Sequence, residues 1–194
     1  SDVLVVSSEG LALPNGIIDT THPSGIAAIT SFGEAFKKSA DVTLDLSQDE
    51  LLFGVHPKKI EGRMSASAYF ADSLENGAGY AVELSEPDRF EKVIRGIKND
   101  LGKHWEDSSH TGCQVSCPDC LRSYRNRFIH SKLDWRLTLD FVDLIEGMVW
   151  PNRWTSFEDD LASVTTKAAN VEEMIANNQR IILNKDTNKA LIVL

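Results

Sequence analysis

Three cysteines are the whole supply in this chain, and Cys113, Cys117 and Cys120 fall within eight residues. An odd number of closely spaced thiols makes a poor disulfide framework and suits metal ligation in a reducing cytoplasm. Pro118 and Asp119 make the Cys117–Cys120 interval a tight turn, so both sulfurs can face one ion, at about 2.3 Å for zinc. A closed zinc site takes four ligands, and there is no fourth cysteine. A Cys3His set satisfies the same tetrahedron, which makes the histidines candidates. His110 precedes Cys113 by three residues, His130 follows Cys120 by ten, and His104 stands further off. Two other chemistries compete for these residues: a Cys-Pro-Asp-Cys dithiol pair, or Cys120 as a nucleophile with His130 as its base. A redox pair usually opens a helix after a strand, and the third thiol would then be unexplained. Structural Zn2+ accounts for all three.

The segment that follows is basic. Arg122, Arg125, Arg127, Lys132 and Arg136 stand against Asp134 alone, a local charge of about +4 in a chain of −9. With Tyr124, Phe128 and Trp135 interleaved, it suits contact with a phosphate backbone, the rings being available to bases. A solvated face, with Arg136 paired to Asp140 one helical turn on, fits the same residues. Gly77-Ala78-Gly79 either cradles a ligand with backbone N–H groups or permits a tight strand-to-helix turn. Gly96-x5-Gly102-Lys103 echoes a phosphate-binding loop, but is one residue too long and has His104 where Ser or Thr belongs. There is no Asp-Glu-x-His box, so this chain is not expected to hydrolyse ATP. His22 and His56 each neighbour a proline and read as loop residues.

The whole chain has 194 residues, 42% of them hydrophobic and 25% charged. Those values suit a globular domain with a sizeable core and exclude wholesale disorder. No apolar run reaches the roughly 18–20 residues that span a bilayer, so no membrane partner is expected. The acid excess argues against nonspecific coating of nucleic acid, leaving the basic segment as a local exception. Starting at Ser1-Asp2-Val3 and stopping within Ala190–Leu194, the sequence reads as a piece of a larger polypeptide.

The elements that must position these residues follow from periodicity. Val3–Val6 reads as a buried strand, and Ser24 as the cap of a helix over about Gly25–Ser39 with Ile26, Ile29, Phe32 and Phe36 on one stripe. Val42, Leu44 and Leu46 alternate like a strand, as do Leu51–Val55 and Ala66–Ala71. A glycine turn opens a helix toward Leu84, and Glu86-Pro87 starts another through Leu101. Beyond the cysteines, Leu133, Leu137, Phe141 and Ile145 recur every four residues, a helix that His130 begins and Pro151 ends. Phe157 to about Asn178 reads as a helix, then Ile181–Leu183 and Ala190–Leu194 as a hairpin. The class is α+β, a mixed sheet with packed helices and a small Cys-rich zinc-binding insertion. Residues 1–150 form the main domain, and 151–194 a C-terminal helix and hairpin, truncated, that pack on it or start the next.

Three motifs in order, Tyr69-Phe70-Ala71-Asp72-Ser73-Leu74-Glu75-Asn76-Gly77-Ala78-Gly79-Tyr80-Ala81, Cys-x3-Cys-Pro-x-Cys-Leu-Arg-Ser-Tyr and His130-x2-Leu133-Asp134-Trp135-Arg136-Leu137, resemble the MZB domain. That zinc-binding domain lies C-terminally in many bacterial superfamily 2 DEAD/DEAH-type helicases. The resemblance runs from about Gly25 to Asp143. Family members commonly carry a fourth cysteine two residues before the equivalent of Cys113, where this chain has Thr111. The resemblance implies that His130 takes its place. It also implies a noncatalytic accessory role in DNA repair or anti-phage defence. The expected partners are DNA, held weakly by the domain alone, the helicase core of the parent chain, and defence-system subunits. A protein-interaction module without DNA contact is the alternative.

Overall fold

The computed structural model describes residues 2–9, 18–21, 23–47, 50–74, 77–106, 113–147, 171–176, 179–184 and 189–193. They fall into two compact units, Ser1–Val149 and Trp150–Leu194. The class is α+β.

The first unit runs β1 (Val3–Ser7), α1 (Pro23–Leu44), β2 (Leu51–Ile60), β3 (Arg63–Asp72), α2 (Tyr80–Ser85), α3 (Pro87–Glu106), a 3-10 helix (Arg127–Lys132) and α4 (Trp135–Ile145). Its sheet has the order β1-β3-β2 and is antiparallel throughout. Strands β2 and β3 form one long hairpin, closed where Ile60 faces Arg63. The two residues between them, Glu61 and Gly62, have φ of 47° and 86°, the left-handed pair that a two-residue turn needs to match strand twist. Pro57 is tolerated inside β2 because β2 is an edge strand. His56 therefore lies in a strand, not in a loop.

Alternation along β3 turns Ala66, Ala68 and Phe70 inward, all at most 3% exposed. Small residues there let α1 approach and interleave aromatic rings. Phe36 lies 4.4 Å from Phe70 and 5.5 Å from Phe90, and Phe32 lies 4.5 Å from Phe141, centroid to centroid. These contacts make α1 the central element, between the sheet and helices α3 and α4. Cys120 and Leu121 belong to the same buried cluster, so the cysteine turn is built onto the core.

Three sequence expectations change here. Val42 and Leu44 lie in α1, which runs on until Asp45 takes a left-handed φ of 54°. On a helix residues two apart face nearly opposite sides, so Val42 is 80% exposed while Leu44 packs against the core. Strand β1 is an edge strand rather than a buried one, with Val3 and Val5 50% and 57% exposed. His130 does not begin α4: its stretch is 3-10, the chain is extended at Leu133 and Asp134, and the Asp134 side chain caps α4 by accepting from Arg136 N.

In the second unit, β4 (Val171–Ala176), β5 (Gln179–Asn184) and β6 (Lys189–Val193) pair in that order as an antiparallel meander. The expected hairpin is its second half. The expected helix gives way to a strand at Val171–Ala176, because that segment pairs residue for residue with β5. The rest of it, 157–170 and 177–178, lies outside the described residues.

Candidate metal centre

Helix α3, the cysteine turn and the start of α4 meet at one point. Hydrophobic residues Val93, Ile94, Ile97 and Leu101 form the buried stripe of α3, and His104 continues that stripe three residues on. The Nε2 of His104 lies 3.9 Å from Cys117 Sγ. Together His104, Cys117 and Cys120 present ligand atoms within 4.8 Å of one another. Cys113 Sγ lies 3.9 Å from Cys120 Sγ. His104, Cys117 and Cys120 thus form a group that could hold a metal ion, with Cys113 beside Cys120.

The local chain explains why. Cys117 O accepts from the backbone N–H of Cys120 at 3.2 Å and of Arg122 at 3.0 Å, which closes the Cys-Pro-Asp-Cys turn. The same turn aims Cys117 N–H at Cys120 Sγ, 3.0 Å away. An N–H donated to sulfur favours the thiolate, the form that binds metals. Burial pushes the Cys113 thiol up to about 12, helped by its hydrogen bond with Cys117 and by the charge of its sulfur neighbours. Burial likewise raises Cys120. Burial also opposes ionisation of Cys117, but bonds from the Cys113 side chain and from the backbone of Cys120 and Asp119 bring it net below its ordinary value. Thiolates this close repel one another, and a bound cation would offset that repulsion.

Trp135 locks the assembly. Its backbone N–H donates to Val115 O at 2.9 Å and its indole Nε1–H to Cys113 O at 3.2 Å. Its ring lies 6.1 Å from the His104 ring. From the other side, one polar face of α1 pins the same segment. Ser31 Oγ accepts from Asp134 N and donates to Lys132 O, Glu34 accepts from Asn126 Nδ2, and Lys38 Nζ reaches Asp119 O and Cys120 O at 3.0 and 3.1 Å.

His130 is engaged elsewhere. Its Nε2 lies 2.9 Å from Asn126 Oδ1 and 3.0 Å from Ser123 O, and the histidine grouped with the thiols is His104. His110 lies outside the described residues. Cys120 as a nucleophile does not survive either: its side chain is 2% exposed and its thiol is raised by burial, both unfavourable to attack. Gly96, Gly102 and Lys103 lie inside α3, so no phosphate loop forms there. The Gly77–Gly79 turn is closed by its own chain. Asp72 accepts from Gly79 N at 2.7 Å and from Ala81 N at 3.0 Å, and Gly79 takes a φ of 85° that suits glycine alone.

The basic segment divides into two sets. Arg136 is held by both carboxylate oxygens of Asp134, and Arg122 Nε donates to the buried Ser116 at 2.8 Å. Both are half-buried. Arg125, Arg127 and Lys132 are exposed, as are Tyr124 and Phe128 at 80% each.

No family model matches the chain, and no curated protein matches it. Among solved structures, the crystal structure of the DUF1998 helicase MrfA bound to DNA is similar over 61% of this chain, with a TM-score of 0.44 and 15% identity. The chain spans 14% of the length of that protein. No helix of the described residues is long and apolar enough to cross a membrane.

Sequence spacing alone did not single out His104, which lies nine positions before Cys113 while His130 lies ten after Cys120, a difference too small to decide between them. The signal was in the periodicity. Extending the Ile97, Leu101 stripe by three residues places His104 on the inward face of α3, at the end nearest the cysteines.

Proposed function

We propose that this chain is a noncatalytic zinc-binding accessory domain of a DNA helicase or translocase, acting in DNA repair or anti-phage defence. Cys113, Cys117, Cys120 and His104 are its ligands for one structural Zn2+. The observation that carries the metal assignment is a pair of edges: Cys113 to Cys120 and Cys117 to His104, each 3.9 Å. Sulfurs on a zinc tetrahedron with bonds of about 2.3 Å lie roughly 3.8 Å apart, and a sulfur and an imidazole nitrogen roughly 3.6 Å. The donor set, soft thiolates with one imidazole, is the one zinc prefers. Bound zinc would contribute on the order of 10 kcal/mol of apparent binding energy to folding.

The helicase setting is supported by the resemblance to the MZB domain, whose cysteine motif supplies three of the four proposed ligands. Within it the helicase core of the parent chain performs ATP hydrolysis and holds most of the DNA. Residues 1–150 form the accessory domain and 151–194 a second element, with defence-system subunits as further partners. The thiols require a reducing compartment, which suits the cytoplasm. Arg125, Arg127 and Lys132, exposed beside the cysteine turn, are the DNA contacts, while Arg122 and Arg136 build the scaffold beneath them. A linker to the core raises the effective concentration and makes a weak contact useful.

The net charge of −9 favours a second reading, a protein-interaction module kept off DNA by repulsion. A salt titration separates the two. Each neutralised phosphate adds a log–log slope of roughly −0.7 to −0.9, so three contacts predict about −2 to −3. Replacing Arg125, Arg127 and Lys132 together by Ala removes most of that slope, while Arg122→Ala acts through stability instead. DNA affinity and slope unchanged in the triple variant would transfer the assignment to the protein-interaction class.

A further inference from the structure

Tyr124 and Phe128 lie four residues apart and are each 80% exposed. Large rings left together in water mark an interaction surface. Arg127 organises this one. Its guanidinium carbon lies 4.4 Å from the Tyr124 ring centroid and 4.3 Å from that of Phe128, and its Nη1 donates to Tyr124 O at 3.0 Å. One cation therefore holds both rings while most of their surface stays open. The base beneath is fixed as well. Asn126, 8% exposed, donates to Glu34 and to Leu121 O, and Ser123 N donates back to Asn126 Oδ1. Rings ordered in advance lose little freedom when a ligand arrives.

We propose that Tyr124, Arg127 and Phe128 form a stacking platform for the unpaired bases of a single-stranded nucleic acid. Charge selects this occupant. Arg127 lies on the rings, Arg125 and Lys132 are exposed in the same stretch of chain, and residues 121–136 carry five cations against one acid, Asp134, so the segment that offers the rings is cationic and suits a polyanion. Separated strands are selected by the rings, since a duplex keeps its base faces inside the stack and a single strand exposes them. The platform rests on the reading of the basic segment as a DNA contact and refines it: phosphates meet the cations and bases meet the rings.

The test compares three probes on the zinc-loaded chain: an oligothymidylate of about 12 nucleotides, an abasic strand of equal length, and a duplex. The first two differ in bases alone. The intact strand should bind roughly ten-fold or more tightly than the abasic one, and more tightly than the duplex. Replacing Tyr124 and Phe128 together by Ala should erase the difference and leave abasic binding and its salt slope in place. Zinc content measured on the same samples identifies any variant that has lost its fold. Equal binding of intact and abasic strands by the native chain, with the salt slope retained, overturns the platform and leaves the phosphate contact standing. A duplex bound more tightly than the single strand also overturns it. Binding to none of the three probes overturns both and gives the rings to a protein partner.

Discussion

Replacing Lys38 by Met removes one ammonium and keeps most of the stem. Lys38 Nζ has three partners: Asp100 Oδ2 at 3.0 Å, Asp119 O at 3.0 Å and Cys120 O at 3.1 Å. The Asp100 pair contributes little, since the two side chains are 47% and 51% exposed and water screens them. The carbonyl bonds are charge-assisted and are worth about 1.5–3 kcal/mol each when shielded. Halving that for a half-exposed donor leaves about 2 kcal/mol for the two. Those carbonyls belong to the turn that aims the Cys117 and Cys120 sulfurs, so the loss should appear in metal affinity as well as in stability. Groups that orient metal ligands typically change affinity by 10–100-fold, and for this partly solvated strut roughly ten-fold is expected. Competition against a chelator reads the affinity, and thermal unfolding of zinc-loaded and stripped protein reads the stability. A Lys38→Met protein with native zinc affinity and native unfolding temperature would show that α1 does not position the cysteine turn.

His104→Ala should lose zinc, whereas His130→Ala should keep it and lose about 1 kcal/mol with its bonds to Asn126 and Ser123; metal content of the purified variants decides, and loss in the His130 variant alone would reverse the assignment. Asp41 supplies a pH signature, because burial lifts its carboxyl from 3.8 to about 6, against Lys37 and with help from Glu50 and Glu34. A folded value above the unfolded one means the stability it contributes is full below about pH 4 and lost as pH rises through about 6. Asp41→Asn should therefore gain on the native chain between about pH 5 and about pH 8, by under about 1 kcal/mol once its half-exposure is discounted; parallel unfolding curves at the two pH values would refute this.

Much of the fold is legible in the sequence wherever one period dominates. Helix α4 shows itself through Leu137, Phe141 and Ile145, and β3 through its alternating alanines. Where two periods coincide, tertiary contacts decide. Val42 and Leu44 fit a strand by alternation and a helix by facing opposite sides, and α1 keeps them because its buried stripe, Ile29 through Phe36 to Ala40, carries the helix past them. Val171–Ala176 is settled by pairing with β5, though the Asn177-Asn178 step was available as a hairpin signal. The three thiols are visible as a cluster from spacing alone. The histidine is not, because a ligand supplied by a neighbouring helix is placed by packing, while linear distance favours His110 and the family resemblance favours His130. Division of the cations into scaffold and surface likewise needed Ser116 and Asp134 in place.

Metal content of the native chain, purified without chelator, tests the central claim most directly. One zinc per chain is predicted, with release of the metal accompanied by loss of the folded signal and by titration of three thiols. Protein that folds with no metal above background, and holds none when zinc is supplied, would contradict it.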